Sequence, residues 1–201
     1  MKTPALIIIT GAPGSGKSHL AGLVLGRYPA LELISYDAMK ETYFDRFGFD
    51  NVTEKNALMD RCLGDFFRLV EKELAEGKNV LIEYPFCRKH VPSLQTVLER
   101  TSAQPCTVVL YGDWATLWER QNRRDEAPDR HLGHLCDVYH KGAPGRRRRL
   151  MPLDEFRSSC IEKDYYIDLG DSVHIEVTDF SRIDYGPAFS LIARTLGRTE
   201  N

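Results

Sequence analysis

Residues 11–18 run Gly11-Ala12-Pro13-Gly14-Ser15-Gly16-Lys17-Ser18, the spacing G-x-x-x-x-G-K-S of a Walker A loop. Glycines at these points let successive backbone N–H groups turn inward and cradle the α- and β-phosphates of a nucleotide. Lys17 is the side chain that reaches the β- and γ-phosphates, and the Ser18 hydroxyl is the group that holds Mg²⁺. His19 extends the same phosphate-binding stretch, which therefore covers Gly11, Ala12, Pro13, Gly14, Ser15, Gly16, Lys17, Ser18 and His19. The flanks fit the chemistry. Ala5 to Thr10 is an apolar, β-branched run suited to a buried parallel strand, and His19 to Leu25 has the composition of a helix. A helix that starts at the loop adds the attraction of its N-terminus for anions.

Carboxylates that follow strands are the next candidates. Asp37 lies two residues beyond the expected strand Leu31 to Ser35. Phosphoryl transfer needs a group that orients the acceptor hydroxyl and takes its proton, and a carboxylate beside the γ-phosphate and Mg²⁺ serves both roles. The competing role for Asp37 is to cap a helix beginning near Ala38. Lys40, one turn on, is either a contact for an acceptor phosphate or carboxylate, or a solvated surface charge. Glu83 ends the strand Asn79 to Tyr84 where a Walker B acid would hold Mg²⁺ directly or through water, although aspartate is the usual residue there. A helix cap or an indirect contact is its alternative role.

Residues 120–149 concentrate arginine. Arg120, Arg124 and Arg130 are the candidates for clamping a transferring phosphoryl group, whose charge spreads over its oxygens. Arg120 and Arg124 share a helix face at four-residue spacing. The glycines and prolines around residues 125–150 suit a lid that closes and excludes water. The opposing possibility is a solvated basic face balanced by Asp125, Glu126 and Asp129. Arg146 to Arg149 reads more simply as solvated surface than as a nucleic-acid contact, because no aromatic residues interleave it. His131, His134, Cys136 and His140 invite a zinc hypothesis, but their spacing matches no standard structural site.

These residues need a scaffold, and the chain supplies an alternating one. Strands are expected at Ala5–Thr10, Leu31–Ser35, Asn79–Tyr84, Cys106–Tyr111 and Val173–Thr178. Helices are expected over 38–47, 53–76, 91–101, from an Asp113 cap to Arg124, and from Pro187 to Leu196. Alternation of this kind predicts a parallel α/β sheet with its ligand outside the carboxyl ends of the strands. At 201 residues one domain spanning 1–201 is expected. A net charge of −2 exerts no general pull toward nucleic acid or anionic membrane. Met1 to Pro4 leads into a strand rather than a secretory leader, and no apolar run approaches the ~18 residues of a membrane span. Five scattered cysteines form no disulfide framework, so a reducing cytoplasm is the expected location.

With Gly11 to Ser18, Asp37, and the run from Arg120-x₂-Arg123-Arg124 to Arg130-His131-Leu132-Gly133-His134 in view, the chain resembles the small P-loop kinases of the nucleoside-monophosphate-kinase-like group. Within that group it is similar to the AAA-type ATP-binding proteins that include polynucleotide 5′-kinase domains, chloramphenicol phosphotransferase and zeta-toxin-like kinases. The resemblance implies a three-layer α/β/α P-loop NTPase fold with a five-stranded parallel sheet in order 2-3-1-4-5. It also implies ATP as donor and transfer to a hydroxyl with Asp37 as base; of the Mg²⁺ candidates Ser18, Asp37 and Glu83, the last departs from the family's aspartate. Adenine contacts are implied near Thr178 and Asp179.

Three functions follow. The first is a kinase acting on a hydroxyl of a small or nucleotide-like acceptor. The second is a polynucleotide 5′-hydroxyl kinase. The third is a regulatory nucleotide switch without a kinase acceptor. No N-K-x-D base-reading motif is present, and Asp45-Arg46-Phe47-Gly48 matches D-x-x-G only formally, since it follows a helix. Tyr43, Phe44, Phe47 and Phe86 are candidates for an aromatic acceptor wall or, equally, for core.

Overall fold

A computed structural model describes residues 3–198; Met1, Lys2 and Thr199 to Asn201, which the expected 1–201 domain includes, lie outside them. Along the chain run β1 (Ala5–Gly11), α1 (Lys17–Arg27), β2 (Glu32–Ser35), α2 (Tyr36–Phe47) and α3 (Val52–Ala75). Then come β3 (Val80–Glu83), α4 (Val91–Thr101), β4 (Gln104–Tyr111), α5 (Trp114–Glu126) and α6 (Leu132–Leu135). The last part holds β5 (Cys136–Val138), β6 (Arg146–Arg147), α7 (Leu153–Lys163), β7 (Asp171–Glu176) and α8 (Gly186–Thr195).

The five-stranded sheet has the order β2-β3-β1-β4-β7, and every neighbouring pair is parallel. Counting sheet strands alone, this is the expected 2-3-1-4-5. β1 is central and all seven of its residues are buried, which is why it is apolar without alternation. Its side chains nevertheless divide by parity, because successive residues of a strand face opposite ways. Ile7 and Ile9 pack with Leu20 and Val24 of α1, Phe156 of α7 and Leu191 of α8. Leu6 and Ile8 pack with Phe66 and Val70 of α3 and with Leu94 of α4. The sheet is thus sandwiched between two helical layers. Each fully buried isoleucine contributes ~1.5–3 kcal/mol of hydrophobic stabilisation.

Local sequence explains the element ends. Asn51 accepts from Glu54 N at 2.9 Å while Glu54 accepts from Asp50 N and Asn51 Nδ2, both at 2.8 Å, and these mutual bonds begin α3. Asp113 begins α5 as expected, its Oδ2 accepting from Thr116 N at 2.9 Å.

Two features lie outside the sequence expectations. α7 carries Leu153, Phe156 and Cys160 at helical spacing and Asp154 and Glu155 in its first turn, a weak pattern next to the arginine run. β5 and β6 form an antiparallel ribbon, so Arg146 and Arg147 hold a paired conformation while their side chains stay exposed. Among the described residues no helix is long and apolar enough to cross a membrane.

Candidate active site

Parallel pairing brings the carboxyl ends of three strands to one edge. Ile9 of β1 lies beside Glu83 of β3, and Glu83 lies beside Ser35 of β2. Asp37 follows Ser35 by two residues. A cleft of about 540 Å³ opens at this edge and is lined by the phosphate loop, Asp37, Glu83, and Arg120 and Arg124 of α5, among others.

Gly11, Gly14 and Gly16 all have positive φ, of 135°, 82° and 85°. Two of them also serve packing. A Cβ on Gly11 would stand 2.1 Å from the Leu110 carbonyl oxygen, and one on Gly14 would stand 2.1 Å from that of Leu117. The loop is therefore wedged against β4 and α5. Gly14→Ala is expected to cost at least ~1–3 kcal/mol in urea unfolding, from left-handed strain plus the clash; unchanged stability would show that the loop is free to shift.

The Lys17 ammonium is buried and donates to the carbonyls of Gly11 at 3.1 Å and Ala12 at 3.0 Å. Burial lowers its pKa to about 8, against the opposing pull of Glu83 and Asp37. Ser18 hydrogen-bonds the Glu83 carboxylate. Glu83 is itself buried, and burial raises its pKa although Lys17 opposes the shift.

Asp37 does not cap α2. Ser35 does, its hydroxyl accepting from Ala38 N at 3.3 Å. The Asp37 carboxylate is left to meet the Lys40 ammonium at 2.6 Å. Burial works to raise its pKa, but Lys40 prevails and holds it at about 2. Lys40 is no surface charge: it is 6% exposed and lies 5.0 Å and 4.7 Å from the ring centres of Tyr36 and Tyr84.

The three arginines diverge. Arg120 donates to the carbonyls of Val177 at 2.6 Å and Thr178 at 2.7 Å, and its guanidinium stacks on Phe180 at 3.7 Å. Phe180 in turn covers Gly16. Arg120 is therefore placed at the end of β7, beside Thr178 and Asp179. Asp179 itself caps the short turn that carries Phe180, accepting from Ser181 N at 3.0 Å. Arg124 and Arg130 stay with the phosphate loop and the carboxylates. Burial lowers the pKa of the Arg124 guanidinium, which senses Arg130, Asp37 and Glu83. Arg130 Nε donates to the buried Asp125 at 3.3 Å, and Gln121 donates to that same carboxylate at 2.7 Å.

Each of the three histidines between residues 131 and 140 meets its own carboxylate. His131 pairs with Asp45 at 3.0 Å, His134 with Glu41 at 2.9 Å and His140 with Asp50 at 2.7 Å. These contacts fasten residues 131–140 to α2 and to the loop after it. Among the described residues no three His, Cys, Asp or Glu side chains gather as a metal site. Of the aromatic candidates, Phe44 is buried yet lines the cleft, Phe86 is core, and Phe47 is exposed. Sequence reasoning passed over Lys55 and Phe180. A lysine on the buried face of an amphipathic helix was the available signal for the first; the second had none.

The family model described as "AAA domain" matches residues 6–137. The search of curated proteins finds no match to the chain. Among solved structures, the "putative kinase" from Chloroflexus aurantiacus j-10-fl superposes with a TM-score of 0.79 at 23% identity, over 96% of this chain and 99% of that one. A gluconokinase from Sinorhizobium meliloti 1021 gives 0.52 at 16% identity, over 98% and 92%. A chain of the Pnkp1/Rnl/Hen1 RNA repair complex gives 0.56 at 19% identity, over 81% and 44%. At these identities the likeness is one of fold, that of the P-loop kinases.

Proposed function

The chain belongs to the AAA-domain family, and on that premise we propose that it is an ATP-dependent phosphotransferase moving the γ-phosphoryl group to an acceptor hydroxyl. The observation that carries this reading is that Lys17, Ser18 and Asp37 converge on one cleft with Arg124 and Arg130. The loop from Gly11 to His19 receives the phosphates. Lys17 exchanges its carbonyl partners for the β- and γ-phosphate oxygens. Arg124 and Arg130 face the charge that spreads over the transferring group. Asp37 orients the acceptor hydroxyl and takes its proton. The face of Arg120 and the ring of Phe180 supply flat surfaces for the base.

The Ser18 hydroxyl bonded to Glu83, with Asp37 close by, is a set of hard oxygen donors that suits Mg²⁺. When bound there, the ion would neutralise charge on the phosphates. The segment of about residues 125–150 is the candidate lid, with its histidine–carboxylate contacts to α2 as the closed arrangement.

The test is transfer from γ-labelled ATP to a panel of nucleosides, sugars, antibiotics and oligonucleotides with 5′ hydroxyls. Label on an alcohol is the expected result. Label released only as inorganic phosphate, with every acceptor unmodified, would overturn the reading. A polynucleotide 5′-hydroxyl kinase is the second reading, favoured by the exposed Arg146 and Arg147 on β6.

Lys17 also gives a pH prediction. Its ammonium has a pKa of about 8 without nucleotide, and phosphate oxygens beside it must raise that value. ATP binding therefore takes up a proton at pH 8.5, and affinity, level below pH 7, falls as pH rises, by up to about tenfold per unit. Calorimetry in two buffers of different ionisation enthalpy measures the uptake. Zero uptake at pH 8.5 would mean that Lys17 keeps a normal pKa or stays away from the phosphates.

A further inference from the structure

The part of the cleft beyond Asp37 has an unusual charge balance. Lys40, Lys55, Arg130 and Arg148 are among its lining, and among the described residues the carboxylates that line the cleft are Asp37, Glu83 and Asp137. These groups sense one another. Arg148 and Lys40 act on Lys55, and Lys40, Arg130 and Asp37 act on His134. His134 adds no charge, since burial and those cations hold it well below its ordinary range.

Of the four, Lys55 is the buried cation without a carboxylate partner. It is 8% exposed, and its ammonium donates to the Cys136 carbonyl at 2.7 Å. Its other close neighbours are the rings of Phe49 and Phe44, at 5.1 Å and 5.8 Å. Among the described residues no carboxylate stands within ion-pair distance of it. Burial, then the charge of Arg148, lowers its pKa to about 8. Burying an ammonium against carbonyl and ring alone is costly, and an anion from outside would offset that cost. The sequence explains the placement: Lys55 sits on the apolar face of α3 that also carries Cys62 and Phe66, so it points inward.

We propose that this end of the cleft holds an acceptor that carries its own anionic group, a small alcohol bearing a phosphate or a carboxylate. The proposal rests on the phosphotransferase reading and names its substrate class. Lys55 and Arg148 grip the anion, and Phe44 and Met59 offer apolar contact to the carbon frame. The acceptor's hydroxyl faces Asp37. Its oxygen bonds to the γ-phosphorus as the bond from that phosphorus to the β-phosphate oxygen breaks. The hydroxyl proton passes to Asp37, and ADP leaves with the electron pair of the broken bond.

The experiment measures label transfer from γ-labelled ATP to four sets of acceptors: neutral polyols, sugar phosphates, sugar acids, and oligonucleotides with 5′ hydroxyls. Wild type, Lys55→Met and Arg148→Gln are compared. Arg148 is exposed, so its variant folds even where Lys55→Met does not. The expected result is transfer to sugar phosphates or to sugar acids, with whichever set is used identifying the anion. KM for that acceptor should rise about 30-fold or more in Lys55→Met and less in Arg148→Gln, with KM for ATP unchanged. Preference for neutral polyols, or an acceptor KM indifferent to both variants, overturns the anion site and leaves the phosphotransferase intact. Preference for oligonucleotides replaces the small acceptor with a polymer. Transfer to none of the four sets overturns the anion site, and label released only as inorganic phosphate with nucleosides and antibiotics as well overturns the phosphotransferase.

Discussion

Lys17→Ala should lower phosphoryl transfer by about 10³-fold, the scale of losing one preorganised charge from a transition state that gains negative charge. The ammonium of Lys17 is buried and rests on the carbonyls of Gly11 and Ala12, so it stands ready at the phosphate position without reorganisation. Alanine removes that charge and leaves two inward carbonyls without their donor. ATP affinity should fall as well, since part of the interaction exists before transfer. The checks are a coupled assay for ADP release and a fluorescent-nucleotide titration, with thermal unfolding as control. A folded variant with wild-type turnover would mean that the loop does not hold the triphosphate.

Asp37→Asn should lower transfer by about 10²–10⁴-fold, the range for a positioned general base. ATP affinity should stay within a few-fold. The substitution keeps shape, so it separates proton acceptance from packing. It does weaken the 2.6 Å contact to Lys40, whose ammonium then faces only ring surfaces. With a pKa of about 2, Asp37 is ionised throughout the working range. It loses its charge only as pH falls through 2, so it produces no acidic limb above about pH 4. Single-turnover transfer with saturating ATP reads the chemical step. An Asn variant at full rate would assign proton removal to another group.

The legible part of this molecule was the part governed by local chemistry. Gly11 to Ser18 announced itself because backbone turned inward requires glycine at set intervals. The buried strand shows in the unbroken apolar run from Ala5 to Thr10, and the helix over 53–76 in its apolar spacing. Asp37 was harder, because a carboxylate at a helix start has two uses. Only the position of Ser35, whose hydroxyl bonds Ala38 N, frees Asp37 for the cleft. Arg120 and Arg124 share a helix face, yet one reaches the carbonyls just past β7 and the other faces the carboxylates of Asp37 and Glu83. Spacing cannot separate them.

Chain order therefore determined the parallel sheet, the phosphate loop and the candidate carboxylates, because each depends on near neighbours and on the period of a strand or helix. The acceptor end of the cleft was set at a distance. Lys55 of α3 meets Cys136 of β5 across 81 residues, and His131 and His134 meet acids of α2 across 86 and 93. The charge of that pocket is a sum over residues far apart in sequence, and folding alone brings them within a few ångströms.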